Sequence, residues 1–263
     1  METSQAPASN EITGNVLFYN KPEPLNFNAH GKLGVKQIDQ PFGFLRTAHA
    51  VPLTITEFGM AATSYPIIFV GDDLTPVAVM GVRQGENLYV TDAGQTERDH
   101  YVPAFVRRYP FVFATDKAQD QLLLCVDSKA PMVSENPDIA FFEGEEPSKF
   151  TNDAIEFCKE FERQRQGTQQ FIELMKKHDL FEEKSISFQP RDNAGQPAGD
   201  PQKIADYMAV SEEKVNAMSP EAYAELREIG AVGAIYAHLV SLLLWPRVIQ
   251  RALVKATADM PQT

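Results

Sequence analysis

The side chains best suited to chemistry gather between His100 and Tyr109. His100-Tyr101 is followed by Arg107-Arg108-Tyr109. Arginine forks grip carboxylate or phosphate oxygens in pairs, and tyrosine adds a flat face and a hydroxyl. His100, Tyr101, Arg107, Arg108 and Tyr109 can therefore form a cradle for an anionic group. The plainer reading is an exposed helix whose arginines pair with the chain's many acids. His49 stands eight residues before Glu57, so a histidine base with a carboxylate to orient it is one reading. The other is a histidine hydrogen-bonded at a helix start. Tyr236 and His238 fall in an apolar run, where buried polar groups must find partners. There a satisfied core histidine is favoured over a ligand.

Other chemistries lack their patterns. There is no Gly-x-Ser-x-Gly elbow, no Gly-x4-Gly-Lys phosphate loop, no Gly-x-Gly-x-x-Gly turn and no His-Glu-x-x-His helix. Asp99-His100 is the wrong order for a His-x-Asp metal triad. Cys125 and Cys158 do not make the paired spacing of a structural zinc site, and they read as two reduced core cysteines. Glu143-Gly144-Glu145-Glu146 lacks the ligand spacing of a calcium loop and reads as a solvated loop. No cofactor and no metal ion is expected. Catalytic groups can still lie far apart in sequence.

The 263 residues are 43% hydrophobic and 23% charged, which suits a globular chain able to fold without disulfide or metal. The net charge of −12, with no basic stretch longer than a pair, argues against nucleic-acid and anionic-membrane partners. The N-terminus shows no basic segment followed by an apolar one, so the cytoplasm is the expected location, with signal-independent export to the cell surface left open. The apolar run 231–245 is shorter than the ~20 residues that span a bilayer and reads as a buried core helix.

The elements that must position these residues fall into two halves. Residues 1–15 read as a flexible tail. Extended pieces follow over 16–38. A short helix is expected to start at Pro52 and run to Thr63. Ile67-Ile68-Phe69-Val70, then 76–82, then 87–91 read as three strands with tight Gly-containing turns, an antiparallel meander. Pro103 opens a short helix that Pro110 ends, and 111–115 and 122–127 form a further strand pair across the turn 116–121. From Ser148 the pattern is helical. Thr151 is the expected N-cap, and Ala154, Phe157, Cys158, Phe161, Thr168, Phe171, Ile172 and Met175 share one stripe. Residues 189–203 read as loop and 207–210 as a last strand. Helices follow over 212–217, over 221–229 behind the cap Ser219-Pro220, and over 231–244.

Several stretches resemble one bacterial family, SapC. They are Phe18-Tyr19-Asn20-Lys21-Pro22-Glu23-Pro24-Leu25-Asn26, His49-Ala50-Val51-Pro52-Leu53, Tyr65-Pro66-Ile67-Ile68-Phe69-Val70, Gly85-Glu86-Asn87-Leu88-Tyr89-Val90, and Tyr101-Val102-Pro103-Ala104-Phe105 through Phe111. Near the end, Glu213-Lys214-Val215-Asn216-Ala217-Met218 and Ile235-Tyr236-Ala237-His238-Leu239-Val240 fit as well. The resemblance covers about residues 17–245 in the right order. It implies a link to a bacterial surface layer, from which the family takes its name. Family members occur near outer-membrane receptors, flavin-dependent halogenases and cupin-type hydroxylases. It carries over no catalytic residues.

The expectation is an α+β fold: an antiparallel sheet from the N-terminal half packed with helices from the C-terminal half. Residues 16–258 form a single domain, with subdomains 16–135 and 148–258 as the alternative. The function expected is a non-catalytic binding or accessory protein linked to a cell-surface or nutrient-uptake system. One alternative is an enzyme with His49, Arg107 and Tyr109 in a cleft. A second is a self-assembling surface-layer component. A protein partner or small ligand is expected, with no membrane span, and a homo-oligomer is compatible with the pattern.

Overall fold

The computed structural model describes residues 17–116, 121–190 and 196–258. The expected tail 1–15 and most of the expected turn 116–121 lie outside the described residues, as do residues 191–195 of the expected loop. The fold is α+β, with antiparallel sheets mostly in the N-terminal half and helices mostly in the C-terminal half. The chain forms two compact units, each assembled from separated segments: Met1–Pro41 with Arg108–Glu160, and Phe42–Arg107 with Phe161–Thr263.

In the first unit Gln121–Asp127 is the central strand, flanked by Pro22–Pro24 and Phe111–Asp116, all antiparallel. A smaller sheet places Gly34–Val35 between Val133–Ser134 and Ile139–Ala140. Gly34 has to be glycine, since a Cβ there would lie 2.1 Å from the Ile139 carbonyl oxygen. Phe111, Val126, Phe141 and Cys158 form the core, with Phe150 packed against it. Asp127 is fully buried and pins the start of the chain. Its carboxylate accepts from the backbone N–H groups of Asn20, Lys21 and Lys129 and from the Tyr109 hydroxyl.

The helix Lys149–Lys177 starts earlier than expected, because Ser148 and not Thr151 caps it. The Ser148 Oγ accepts from the Thr151 N–H at 3.3 Å, while the Thr151 hydroxyl is spent on the Phe141 carbonyl at 2.8 Å. Its first residues belong to the first unit and its remainder to the second.

The second unit holds a five-stranded antiparallel sheet in the order Phe181–Phe188, Gln202–Val210, Ile67–Val70, Thr75–Val79, Ala50–Pro52. Two of its strands come from the C-terminal half, which the sequence reading missed or shortened. Phe58, Phe69, Phe171 and Phe181 form its aromatic centre, with the Phe69 and Phe181 rings 4.9 Å apart. The expected helix over 52–63 is present but shorter, and it does not begin at Pro52. Pro52 ends a strand, and the helical turn begins at Ile55, after Thr54. The Glu57 carboxylate accepts from the Thr54 N–H and hydroxyl, both at 2.8 Å, and so fixes that start three residues later. The expected strand 87–91 is also absent. Asn87 folds the segment as a loop: its Oδ1 takes the Tyr89 N–H, and its Nδ2 donates to the Leu45 and Ala48 carbonyls.

The C-terminal helices are Glu212–Asn216, Pro220–Glu228, Ala231–Ser241 and Trp245–Ala258. Ser219 caps the second as expected, accepting from the Ala222 N–H. Gly230 then turns with φ +71°, a left-handed conformation that suits glycine. The run 231–245 is not buried all round. Ala231, Ala234, Ile235, His238 and Ser241 face the protein, while Tyr236, Val240 and Leu243 face outward. Among the described residues the helical run Ala231–Thr257 is long and apolar enough, by length and composition, to cross a membrane, and 33% of its most apolar stretch is buried. The expectation of a wholly buried core helix counted apolar residues around the axis. It could not see that the unit covers one side only.

Candidate functional site

Burial of Trp245, Val248 and Ala252 fixes the roll of the last helix. That roll turns Arg247, Arg251 and Lys255, each four residues from the next, into a cleft of about 800 Å³ in the second unit. The loop 87–92 supplies the opposite wall, with Asn87, Thr91 and Asp92, and His100 lines the cleft as well.

Arg251 is the anchored member of the three. It meets Glu97 through both oxygens, at 2.7 and 2.8 Å, and its guanidinium carbon lies 4.5 Å from the centre of the Tyr89 ring. Tyr89 packs edge-on against Tyr65 and His100, with centroids 4.7 and 4.9 Å away. This gives the arginine an aromatic bed. The Arg251 hydrogen bond holds the Glu97 carboxyl below the usual carboxylate range. Arg247 and Lys255 make no hydrogen bond or ion pair among the described residues.

His100 is set by its surroundings to be neutral near pH 7. Burial lowers its affinity for a proton first. Glu97 opposes this, and Arg251 and Arg247 reinforce it. Its Nε2 lies 3.3 Å from Arg251 Nη2 and so serves as an acceptor. Its Nδ1 lies 3.1 Å from Glu97 Oε2, but the two make no hydrogen bond.

Of the residues picked out in the sequence, His100 lines this cleft. Tyr101 and Arg107 stand together in the same unit, on a neighbouring network. The Tyr101 hydroxyl donates to Glu57 Oε1 at 2.9 Å and accepts from Arg107 Nη2 at 3.2 Å. Glu57 also accepts from the Ala104 N–H, which leaves this buried carboxylate fully engaged in holding the helix Ala104–Arg107. It is not an orienter for His49. The His49 side chain is exposed and makes no hydrogen bond, and only its carbonyl is used, by Met80 and Gly81. Arg108 and Tyr109 fall in the first unit. There Arg108 interacts with Tyr19 and Cys158, and Tyr109 is buried with its hydroxyl on Asp127 at 3.2 Å.

The residues that sequence reasoning missed are Arg247, Arg251, Lys255, Glu97 and Tyr89. The available signal was the four-residue spacing of three cations in a stretch, 229–258, that has no acid.

The cleft offers charge, hydrogen-bond donors and aromatic faces, which together suit an anionic group. None of its lining residues is a serine or cysteine. Cys125 and Cys158 are buried in the first unit, where burial pushes both thiols up to about 11. Among the described residues no group of three or more His, Cys, Asp or Glu is placed to hold a metal ion.

The family model described as SapC matches residues 25–248. No curated protein and no solved structure matches the chain.

Proposed function

The chain belongs to the SapC family, and on that premise we propose that it is a non-catalytic binding protein whose ligand is a small anion-bearing molecule held in the cleft beneath Arg247, Arg251 and Lys255. We place it as an accessory component of a bacterial cell-surface or nutrient-uptake system, a role that rests on the family alone.

One observation carries the binding reading. In a chain of net charge −12, two cations, Arg247 and Lys255, line a cleft with no hydrogen bond or ion pair among the described residues, beside a third that is locked in place. Cations grouped along a cleft focus a positive potential that an acidic surface elsewhere does not cancel at short range. Arg251, held rigid by Glu97 and Tyr89, supplies shape, while Arg247 and Lys255 supply free donors. The enzyme alternative gains nothing from this geometry, because the Tyr109 hydroxyl is committed to Asp127 and His49 has no orienting carboxylate at Glu57.

The test is a thermal-shift screen at constant ionic strength with phosphate, dicarboxylates, citrate, neutral sugars and amino acids. A ligand at a hundred times its dissociation constant stabilises the native state by about 2.7 kcal/mol. An anion should give such a shift, and the Arg247→Ala/Lys255→Ala double variant should lose it while melting normally without ligand. A response confined to neutral compounds, or one untouched by the double variant, would sink the reading.

A further inference from the structure

The run that carries the three cations also carries the most exposed apolar ridge in the described residues. Tyr236, Val240 and Leu243 are 40, 57 and 77% exposed, and Val254 further along is 62% exposed. Spacings of four and three place the first three on one side of the helix, and the same progression leads to Arg247. Between residues 229 and 258 there is no acid, although the whole chain has 36. This run therefore carries +3, from Arg247, Arg251 and Lys255, and the rest of the chain carries −12 − 3 = −15. The whole-chain charge argued against an anionic surface. In space Glu97 answers Arg251 and Asp92 shares the cleft, so the positive charge this face offers against that argument is that of Arg247 and Lys255.

An apolar ridge left open to water marks an interaction surface. Its occupant must offer hydrocarbon to Tyr236, Val240 and Leu243 and negative charge to Arg247 and Lys255. The geometry points to an anionic lipid surface, with the ridge entering the boundary between headgroups and acyl chains and the two free cations meeting headgroup phosphates. The inference shares Arg247 and Lys255 with the cleft and rests on the anion-site reading for its headgroup contact. A second copy of the chain is a poorer occupant: pairing the run with itself sets like cations together, and the nearby Glu97 is already bound to Arg251. The run would lie along the membrane and not across it, because Ile235, His238, Trp245 and Val248 bury its other side in the protein. The −15 remainder, repelled by the same lipids, would fix the orientation.

The experiment is flotation of the full-length protein with phosphatidylcholine vesicles, with and without phosphatidylglycerol. The variant is Val240→Glu/Leu243→Glu, whose sites are exposed enough to leave the fold intact, as an unchanged melting curve would verify. Binding should be about tenfold or more stronger with phosphatidylglycerol, and the ridge variant should lose it. The same variant should still be stabilised by whichever soluble anion stabilises the parent. Flotation that survives the ridge variant, or is equal on the two vesicle types, overturns the inference. No flotation by a protein that still responds to soluble anions overturns it and leaves the cleft reading standing. A concentration-dependent dimer that the ridge variant abolishes, without flotation, overturns it in favour of self-association. No response to either vesicles or soluble anions defeats both.

Discussion

His238 and Ile67 are locked together across 171 residues of chain: the His238 Nδ1 donates to the Ile67 carbonyl at 2.9 Å. The assignment follows from the other nitrogen, because Nε2 receives the Val210 N–H at 3.0 Å and must be the bare one. Ser241 completes the lock. Its hydroxyl accepts the Ile67 N–H at 2.9 Å and donates to the His238 carbonyl at 2.6 Å. The helix Ala231–Ser241 thus ties two neighbouring strands of the five-stranded sheet, and His238 is the satisfied core histidine that the sequence favoured.

This tie makes stability depend on pH. Burial pushes the His238 imidazole down to about 4 from 6.5, with the Ile67 hydrogen bond opposing. The unfolded chain binds more protons between these values, so stability is held in full above pH 6.5 and lost as pH falls toward 4. The loss should be about 3 kcal/mol. Urea unfolding followed from pH 7 to 4 checks it. His238→Leu should be less stable at pH 7, with Ile67 and Val210 left unpaired, and should show a flatter fall. Parallel curves for the two proteins would refute the assignment.

Glu57 should behave as a structural hub. Its four acceptor contacts reach Thr54 twice, Tyr101 and Ala104. Glu57→Ala should lower stability by about 2–4 kcal/mol, since buried donors lose their partner. Tyr101→Phe should lower it by about 1 kcal/mol. Denaturant midpoints for both variants decide the matter, and a Glu57→Ala midpoint equal to the parent's would show that the network is not holding the fold.

The three cleft cations should separate by their contacts. Arg247→Ala and Lys255→Ala should each change stability by less than about 0.5 kcal/mol, because neither is paired. Arg251→Ala should destabilise more than either, as it strips Glu97 and uncovers Tyr89. Melting curves of the three single variants would expose a wrong ranking.

His100 should report anion binding. In the free protein it is held below its ordinary value, and it faces Glu97, Asp99, Arg247, Arg251, Tyr65 and Tyr89. A bound anion favours the imidazolium, so binding should raise the His100 titration midpoint and take up protons. Affinity should then increase as pH falls through that midpoint. Imidazole NMR signals, with calorimetry in buffers of different ionisation heat, test the sign. Proton release on binding would contradict it.

Cys125 and Cys158 should be slow to react. Their thiols are buried, and at neutral pH almost none is thiolate. A chromogenic disulfide reagent should label neither quickly in the native protein and both in denaturant. Rapid native labelling would mean that the first unit opens readily.

What the sequence determined by itself was local. Ile67–Val70, Thr75–Val79, Phe111–Asp116 and Gln121–Asp127 are apolar runs between turn signals, and Ser219-Pro220 announces its helix, because those signals act over a few residues. Phe181–Phe188 escaped notice. Residues 182–185 are Glu, Glu, Lys and Ser, which interrupt any apolar alternation, and its pairing with Gln202–Val210 reaches across the intervening loop. Whether 231–245 would be buried was equally hidden, since apolar residues on every side do not say which side the fold will cover. The cleft lay furthest out of reach. Glu97 and Arg251 are 154 residues apart, and no periodicity links them. Only closure of the second unit, with the last helix rolled by its buried Trp245 and Val248, decides that Arg251 finds Glu97 while Arg247 and Lys255 are left facing open space.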